Sequence, residues 1–329
     1  MYAQAIEQIL KDHCSPTAVR EVESGGSPQA LRDAIADAGF LELLASEENG
    51  GAEVSLQEFF QVAELCGSYA VPLPLTQTMA TRLLVAQTGR LPKGMITFAP
   101  ALTQTQDGMI VCPLVPCALT ASHVMTAKDD GLWILPVAQA QSEPTGVASS
   151  LCANLKWEMS AGEHLSTDVG ARDLQALGAV LHAAMLSGAI KRVFDMTLLY
   201  CNDRSQFGKT LGKFQAVQHQ LSLMAEHVAA ASFAAQAAFH CDRRLPSLVA
   251  SAVAKSRASE AAQLVASIGH ALHGAMGVTA EYDLQLYTRR LHEWRMAHGS
   301  EAYWNKSLGE SLLASRESLM TDHVRTIAA

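Results

Sequence analysis

Apolar positions along this chain follow two different rhythms, and the change between them divides it into three parts. In LRDAIADAGFLELLA and SLQEFFQVAELCG the apolar residues recur every three or four positions, the spacing of a helix that buries one face. ENGGAE interrupts this pattern and PLPL ends it, because Gly and Pro break the helical period. MITFAP, GMIVCPLV, SHVMTA and GLWILPV are instead short apolar runs bounded by Gly, Pro or Asp, which read as strands. From about residue 166 the helical period returns and stays. It predicts a helix from Asp168 to about Asn202 and a second from about Phe214 to Cys241. A third starts after Leu245-Pro246 and ends before HGAMG; a fourth crosses DLQLYTRRLHEWRM and is followed, after HGS, by another helical stretch. Helices of about thirty residues span roughly 45 Å, so an antiparallel four-helix bundle is the natural packing. The expected architecture is mainly α: an N-terminal helical domain (1–90), a shortened middle β-domain (91–165) and a C-terminal four-helix bundle (166–329).

Composition narrows the function without naming it. With 329 residues the chain is about twice the usual single-domain length, and 49% hydrophobic against 17% charged residues supports a large core. A net charge of −8 argues against nonspecific binding to nucleic acid, since a polyanion rewards basic surfaces. The opening MYAQAIEQILKDHC carries charges throughout and lacks the apolar core of a signal peptide. No charge-free run long enough to span a bilayer stands out. Seven cysteines, at 14, 66, 112, 117, 152, 201 and 241, are odd in number and form no Cys-x-x-Cys. They read as buried free thiols of a cytoplasmic protein, not as a disulfide frame or zinc site.

One corner breaks the alanine- and leucine-rich texture. RSQFGKTLGKFQAVQHQ, residues 204 to 220, sets an Arg, an aromatic beside a glycine, two Lys and several Gln just before the second bundle helix. It reads either as a solvated interhelical turn or as a phosphate socket. An Arg fork suits a diphosphate, a glycine permits close approach, and a helix N-terminus favours negative charge. Further on, His270 and His273 could share a helix face and hold a metal. Yet no Glu-x-x-His occurs anywhere in the chain, so the carboxylate-bridged di-iron pattern of helical bundles is absent and no metal is expected.

Three segments in order resemble the acyl-CoA dehydrogenase family. LRDAIADAGFLELLASEENGGAEVSLQEFFQVAELCGSYAVPLP is similar to its N-terminal helical domain with the Glu-Glu-x-Gly-Gly turn, RSQFGKTLGKFQ to its Arg-x-Gln-Phe-Gly corner, and HGAMGVTAEYDLQLYTRRLHEWRMAHGSEAYW to its Gly-rich turn and following helix. The resemblance implies FAD as cofactor and an acyl-CoA as substrate. It implies that Arg204, Gln206, Phe207 and Gln215 meet the pyrophosphate and adenine end of FAD across a subunit interface, with Leu211 packing nearby. Gly274 and Gly277 would form the Gly-rich turn near the diphosphate, and Ser300 is a further cofactor contact on the same basis. Ala271 stands where the family usually has Gln, and Ala275 replaces a glycine, which implies a weakened or reshaped hold.

The implied reaction is α,β-dehydrogenation of a thioester: a carboxylate takes the α-proton while the β-hydrogen leaves as hydride to the flavin. The family seats that carboxylate in one of two places. Counting from Gly274 puts the first seat at His298; the second, on the first bundle helix in ARDLQALGAVLHAAML, falls near Gly178. Neither is acidic. His298 could itself serve as base, though no orienting partner is evident; Glu301 would need a shift of register; His298 also reads as a plain structural residue. The family's Thr-Glu-Pro and Gly-Ser-Asp flavin loop is replaced by ITFAPALTQTQDG. These departures resemble a subunit of the heteromeric (α2β2) acyl-CoA dehydrogenases acting on steroid or bile-acid side chains. Such a chain would lend one half of an FAD site while a homologous partner supplies the flavin-ring pocket and the Glu. Two alternatives remain open: a scaffold subunit without cofactor contacts, and a homomeric dehydrogenase using His298. A partner also implies exposed apolar surface on the bundle.

Overall fold

The structure, a computed structural model, describes residues 2–85, 91–99, 102–105, 108–128, 131–158, 160–165, 167–241 and 244–314. Pro100, Ala101, Gln106 and Asp107 of the segment standing in for the flavin loop lie outside the described residues, as does the chain beyond Ala314.

Among the described residues the N-terminal block contains the α-helices α1 (Tyr2–His13), α2 (Pro16–Glu23), α3 (Gln29–Asp37), α4 (Leu56–Ser68) and α5 (Leu75–Leu84). Local chemistry sets their starts. Ser15 caps α2 by accepting the Ala18 N–H, with Pro16 at the first helical position. Ser55 accepts the Glu58 N–H at 3.2 Å and its hydroxyl meets the Glu58 carboxylate, a capping box written in the sequence as Ser-Leu-Gln-Glu. The α5 helix, which follows PLPL, was not expected. Its face is threonine-rich and fully buried, and Thr78 binds into β1 by accepting the Ile96 N–H at 2.9 Å.

Among the described residues eight strands make up the middle: β1 (Ile96–Phe98), β2 (Thr103–Gln104), β3 (Ile110–Val115), β4 (His123–Lys128), β5 (Gly131–Pro136), β6 (Gln141–Pro144), β7 (Ala153–Trp157) and β8 (Glu163–Leu165). They form two four-stranded sheets, ordered β1-β4-β5-β8 and β2-β3-β7-β6, with β1 parallel to β4. The strands are short, but this region is more than a remnant. It has its own core of Ile110, Cys112, Val115, Val124, Leu135, Leu155 and Trp157, and the Trp157 indole N–H donates to Pro136 O of the other sheet.

The C-terminal block contains α6 (Ala171–Asp203), α7 (Gln215–Phe239), α8 (Leu248–His273), α9 (Leu284–Met296) and α10 (Glu301–Ala314). By length and composition α6 could cross a membrane, yet 89% of its apolar window is buried inside the fold. It is the central helix. Against α4 the two backbones touch through glycines: a Cβ on Gly67 would sit 2.8 Å from Met185 Cα, and one on Gly188 would sit 2.9 Å from Ser68 N. A buried ionic knot ties the three blocks together. Glu23 of α2 pairs with Arg289 at 2.7 Å and Arg290 at 2.8 Å, and Glu293 accepts from Ser150 and Cys152 of the middle block.

Candidate functional site

The corner after α6 is a preformed, exposed cationic turn. Arg204 closes α6 with its N–H on Tyr200 O, and a two-residue hairpin joins β9 (Ser205–Gln206) to β10 (Lys209–Thr210). Its tip residues, Phe207 and Gly208, have φ of 53° and 80°, the pairing of a type I′ turn that glycine makes accessible. The Leu211 N–H returns to Arg204 O at 2.8 Å, which closes the base. Arg204, Gln206, Phe207 and Gln215 are all exposed, Phe207 at 92%, while Leu211 is partly buried. The Lys209 ammonium lies 4.1 Å over the Phe214 ring. Among the described residues the Arg204 guanidinium has no partner. Among the described residues no side chain caps the start of α7, and a groove of about 520 Å³ on its first turns is lined by Gln215, Ala216, Gln218, His219 and Ser222. A free guanidinium beside an uncapped helix N-terminus is an arrangement that suits an anion.

The Gly-rich turn arrives at the same end of the bundle. Gly274 ends α8 with φ +60° and ψ −142°, a backbone that side chains resist, and Gly277 is buried against His273 and Leu284. Tyr200, one turn before Arg204, stacks on His273, the residue before Gly274. The stack thus brings the C-terminal ends of α6 and α8 together, with Arg204 one turn beyond Tyr200 and Gly274 next after His273. His270 and His273 are engaged with Thr288 Oγ1 and Gly269 O. Ser300 is elsewhere: it precedes α10, with its carbonyl accepting the Trp304 N–H. Gly178, against which its neighbour His298 packs, is 26 residues before Arg204 on α6, about 39 Å along the axis.

Most informative is where the two carboxylate seats lie. Gly178 on α6 and His298 in the turn between α9 and α10 are one place. A Cβ on Gly178 would be 2.5 Å from His298 Cε1 and 2.6 Å from Cγ, so the imidazole fills the notch the glycine leaves. His298 is fully buried, edge-on to Phe98 at 6.4 Å and tilted against His182 at 5.1 Å. Its φ is +54°, held by the Trp304 indole N–H on His298 O and by Lys255 Nζ on Gly299 O at 2.9 Å.

This geometry argues against His298 as a general base. Neither ring nitrogen has a hydrogen-bond partner among the described residues, so nothing orients the proton. Burial, then His182 and Lys255, push its affinity for protons well below the ordinary imidazole range. His182 is held at about 3 by burial, against the opposing bond to Gly178 O and with Lys255 adding to the lowering. Glu301 is no substitute. It forms a two-legged ion pair with Arg295, one leg at 2.9 Å, and that bond holds its carboxyl below the usual range.

Lys255 escaped the sequence reading. It lies in LVASAVAKSRASEAAQLVA, on the α8 face where Ser251, Ala258, Ser259 and Ala262 are buried. Only that spacing marks it. Its ammonium donates to Ser259 Oγ, Arg295 O and Gly299 O, and burial brings it down to about 7. It clamps the end of α9, where cations are favoured, and so sets the turn that carries His298. Trp294 and Trp304, which flank this turn on α9 and α10, are both buried.

Comparison with known proteins gives the family and the fold. A family model described as acyl-CoA dehydrogenase, C-terminal domain, matches residues 174–313. The chain is 30% identical over 302 residues to acyl-CoA dehydrogenase IpdE2 of Mycolicibacterium smegmatis, covering 88% of this chain and 90% of that protein. Its fold is similar to the ChsE4–ChsE5 complex from Mycobacterium tuberculosis, with a TM-score of 0.83, 18% identity, and coverage of 96% and 97%. It is also similar to a Tcur3481–Tcur3483 steroid ACAD variant, with a TM-score of 0.82, 24% identity, and coverage of 94% and 96%.

Proposed function

The chain belongs to the acyl-CoA dehydrogenase family, and from that premise we infer that it is one subunit of a heteromeric FAD-dependent enzyme. One observation carries this reading: both carboxylate seats collapse onto a single sealed spot filled by His298 over Gly178, while the Arg204 corner stays open and free. A chain built this way has no base of its own for an α-proton. It still has the means to hold a diphosphate.

In this reading Arg204 and the α7 N-terminus take the pyrophosphate, Gln206, Phe207 and Gln215 line the adenine end with Leu211 behind them, and Gly274 with Gly277 allows the backbone to approach. The homologous partner holds the flavin ring and contributes the Glu. When bound, FAD supplies the acceptor for the β-hydride of the acyl-CoA. Exposed apolar side chains on the bundle, among them Leu199, Leu223 and Phe233, are consistent with a partner surface. The steroid designation of one structural neighbour, and the complex named for another, support a bulky polycyclic acyl group and a paired assembly.

The test is to purify the chain alone and with its homologous subunit, and to measure FAD per chain. One FAD per pair, lost in Arg204→Ala with the pair intact, is the expected result. FAD occupancy and activity equal without the partner, or untouched by Arg204→Ala, would overturn the reading in favour of a homomer or a scaffold.

A further inference from the structure

Three rings join the C-terminal turns of α6 and α8. Tyr200 lies on His273 with ring centroids 4.4 Å apart and planes at 25°, and Tyr282 packs tilted beside the His273 ring at 5.2 Å. Tyr282 also meets the Tyr200 ring edge-on at 6.3 Å. His273 is only 3% exposed.

The hydrogen bonds select one protonation state. His273 Nδ1–H donates to Gly269 O at 2.7 Å, which leaves Nε2 as an acceptor for the Tyr282 hydroxyl at 3.3 Å. The Tyr200 hydroxyl donates to His273 O at 3.4 Å. A proton added at Nε2 would turn the Tyr282 hydroxyl from donor to acceptor and place a charge where water is excluded. Burial accordingly depresses the imidazole's proton affinity, the Gly269 bond opposes this, and His270 adds to the lowering.

The titratable groups around the ring come from every element packed on it: Tyr200 from α6, His270 one turn earlier on α8, and Tyr282 with Asp283 before α9. Asp283 is itself paired with Arg20 of α2 at 2.6 Å. Each end of the stack leads directly to a proposed anion contact. Tyr200 O receives the Arg204 N–H at 2.9 Å, and His273 immediately precedes Gly274.

We propose that the Tyr200–His273–Tyr282 stack is a positioning device that holds the Arg204 corner against the Gly274 turn, so that both grip one diphosphate together and loosen together when His273 gains a proton. This rests on the reading that the chain holds the nucleotide end of FAD.

The experiment follows FAD release from the loaded complex with the homologous subunit, from about pH 7.5 to about pH 4.5, through and below the ordinary imidazole range. Wild type releases FAD faster as pH falls. Tyr200→Leu, which removes the stack, releases it roughly three- to tenfold faster, the size of an aromatic pairing. Tyr200→Phe keeps the ring and recovers most of the grip. His273→Leu flattens the pH profile, and Tyr282→Phe, which removes the hydroxyl that would accept from the charged ring, moves the acid step to lower pH. Thermal midpoints of each variant separate these effects from general loosening; should Tyr200→Leu misfold, the Tyr282→Phe profile decides. Wild-type release rates and pH profiles in His273→Leu and Tyr282→Phe, while Arg204→Ala releases faster, would overturn the proposal alone. Release unchanged in Arg204→Ala as well would overturn the reading beneath it too.

Discussion

Replacing Gly178 by Ala sets two ordinary expectations against each other. In a helix interior Gly→Ala stabilises by about 1 kcal/mol, because alanine has less backbone freedom to lose. Here the new methyl would lie 2.5 Å from His298 Cε1 and 2.6 Å from Cγ, well inside van der Waals contact. The ring has little room to retreat. It is 0% exposed, backed by Phe98 and His182, and its backbone is pinned through Trp304 and Lys255. Overpacking of this kind costs about 1–3 kcal/mol and more where the neighbour is rigid. The close contact therefore wins, and Gly178→Ala is expected to destabilise by roughly 1–2 kcal/mol, a fall of about 1–3 °C in thermal midpoint for a chain of this size. The double variant Gly178→Ala/His298→Gly supplies the control. Glycine accepts the φ of +54° without strain, and the alanine methyl enters vacated space, so the two effects should be non-additive by about 1 kcal/mol or more. Scanning calorimetry on the four proteins reads this directly. A Gly178→Ala variant that melts higher than wild type, or strict additivity in the cycle, would refute the claim that the two seats are one site.

Other measurements follow from the same geometry. His182 binds its proton at about 3 in the fold against 6.5 in the open chain, so the unfolded state takes up more protons as pH drops; this stability is whole above about 6.5, wanes toward about 3, and should fall less steeply in His182→Leu thermal melts. Cys14, Cys112 and Cys117 are pushed up to about 12 by burial, and Cys66, Cys152 and Cys201 are also raised, so a disulfide reagent at neutral pH should label one thiol at most in the native protein, at Cys241, and all seven after unfolding. Glu23→Gln leaves Arg289 and Arg290 facing a neutral group where the Glu23 side chain is 2% exposed, and chemical denaturation should show a loss of about 3–5 kcal/mol; an unchanged midpoint would mean the knot contributes nothing.

Much of the architecture was legible because it is written locally. The period of three to four fixed α4, α6, α7, α8 and α9 to within a few residues, since a helix is decided by neighbours one turn away. Capping at Ser55 and the glycine after Phe207 are likewise local events. Strands β2, β6 and β8 were missed because two to four residues carry too little period, and β2 and β6 are exposed throughout, whereas ANLKW of β7 does alternate apolar and polar residues and was missed in spite of that signal. Helix α5 was missed for the opposite reason: it is buried on all sides, which erases the polar stripe that betrays a surface helix.

The sequence by itself determined the order helix, strand, helix, the exposed Arg204 corner, and the lack of an acid at positions 178 and 298. It presented those two positions as separate vacancies. Only the packing of α6 against the turn after α9 brings the glycine and the imidazole into one volume, with Lys255 clamping that turn from α8. The reason is physical: a repeating pattern reports which face of an element is buried, whereas what it is buried against depends on contacts between residues a hundred or more positions apart.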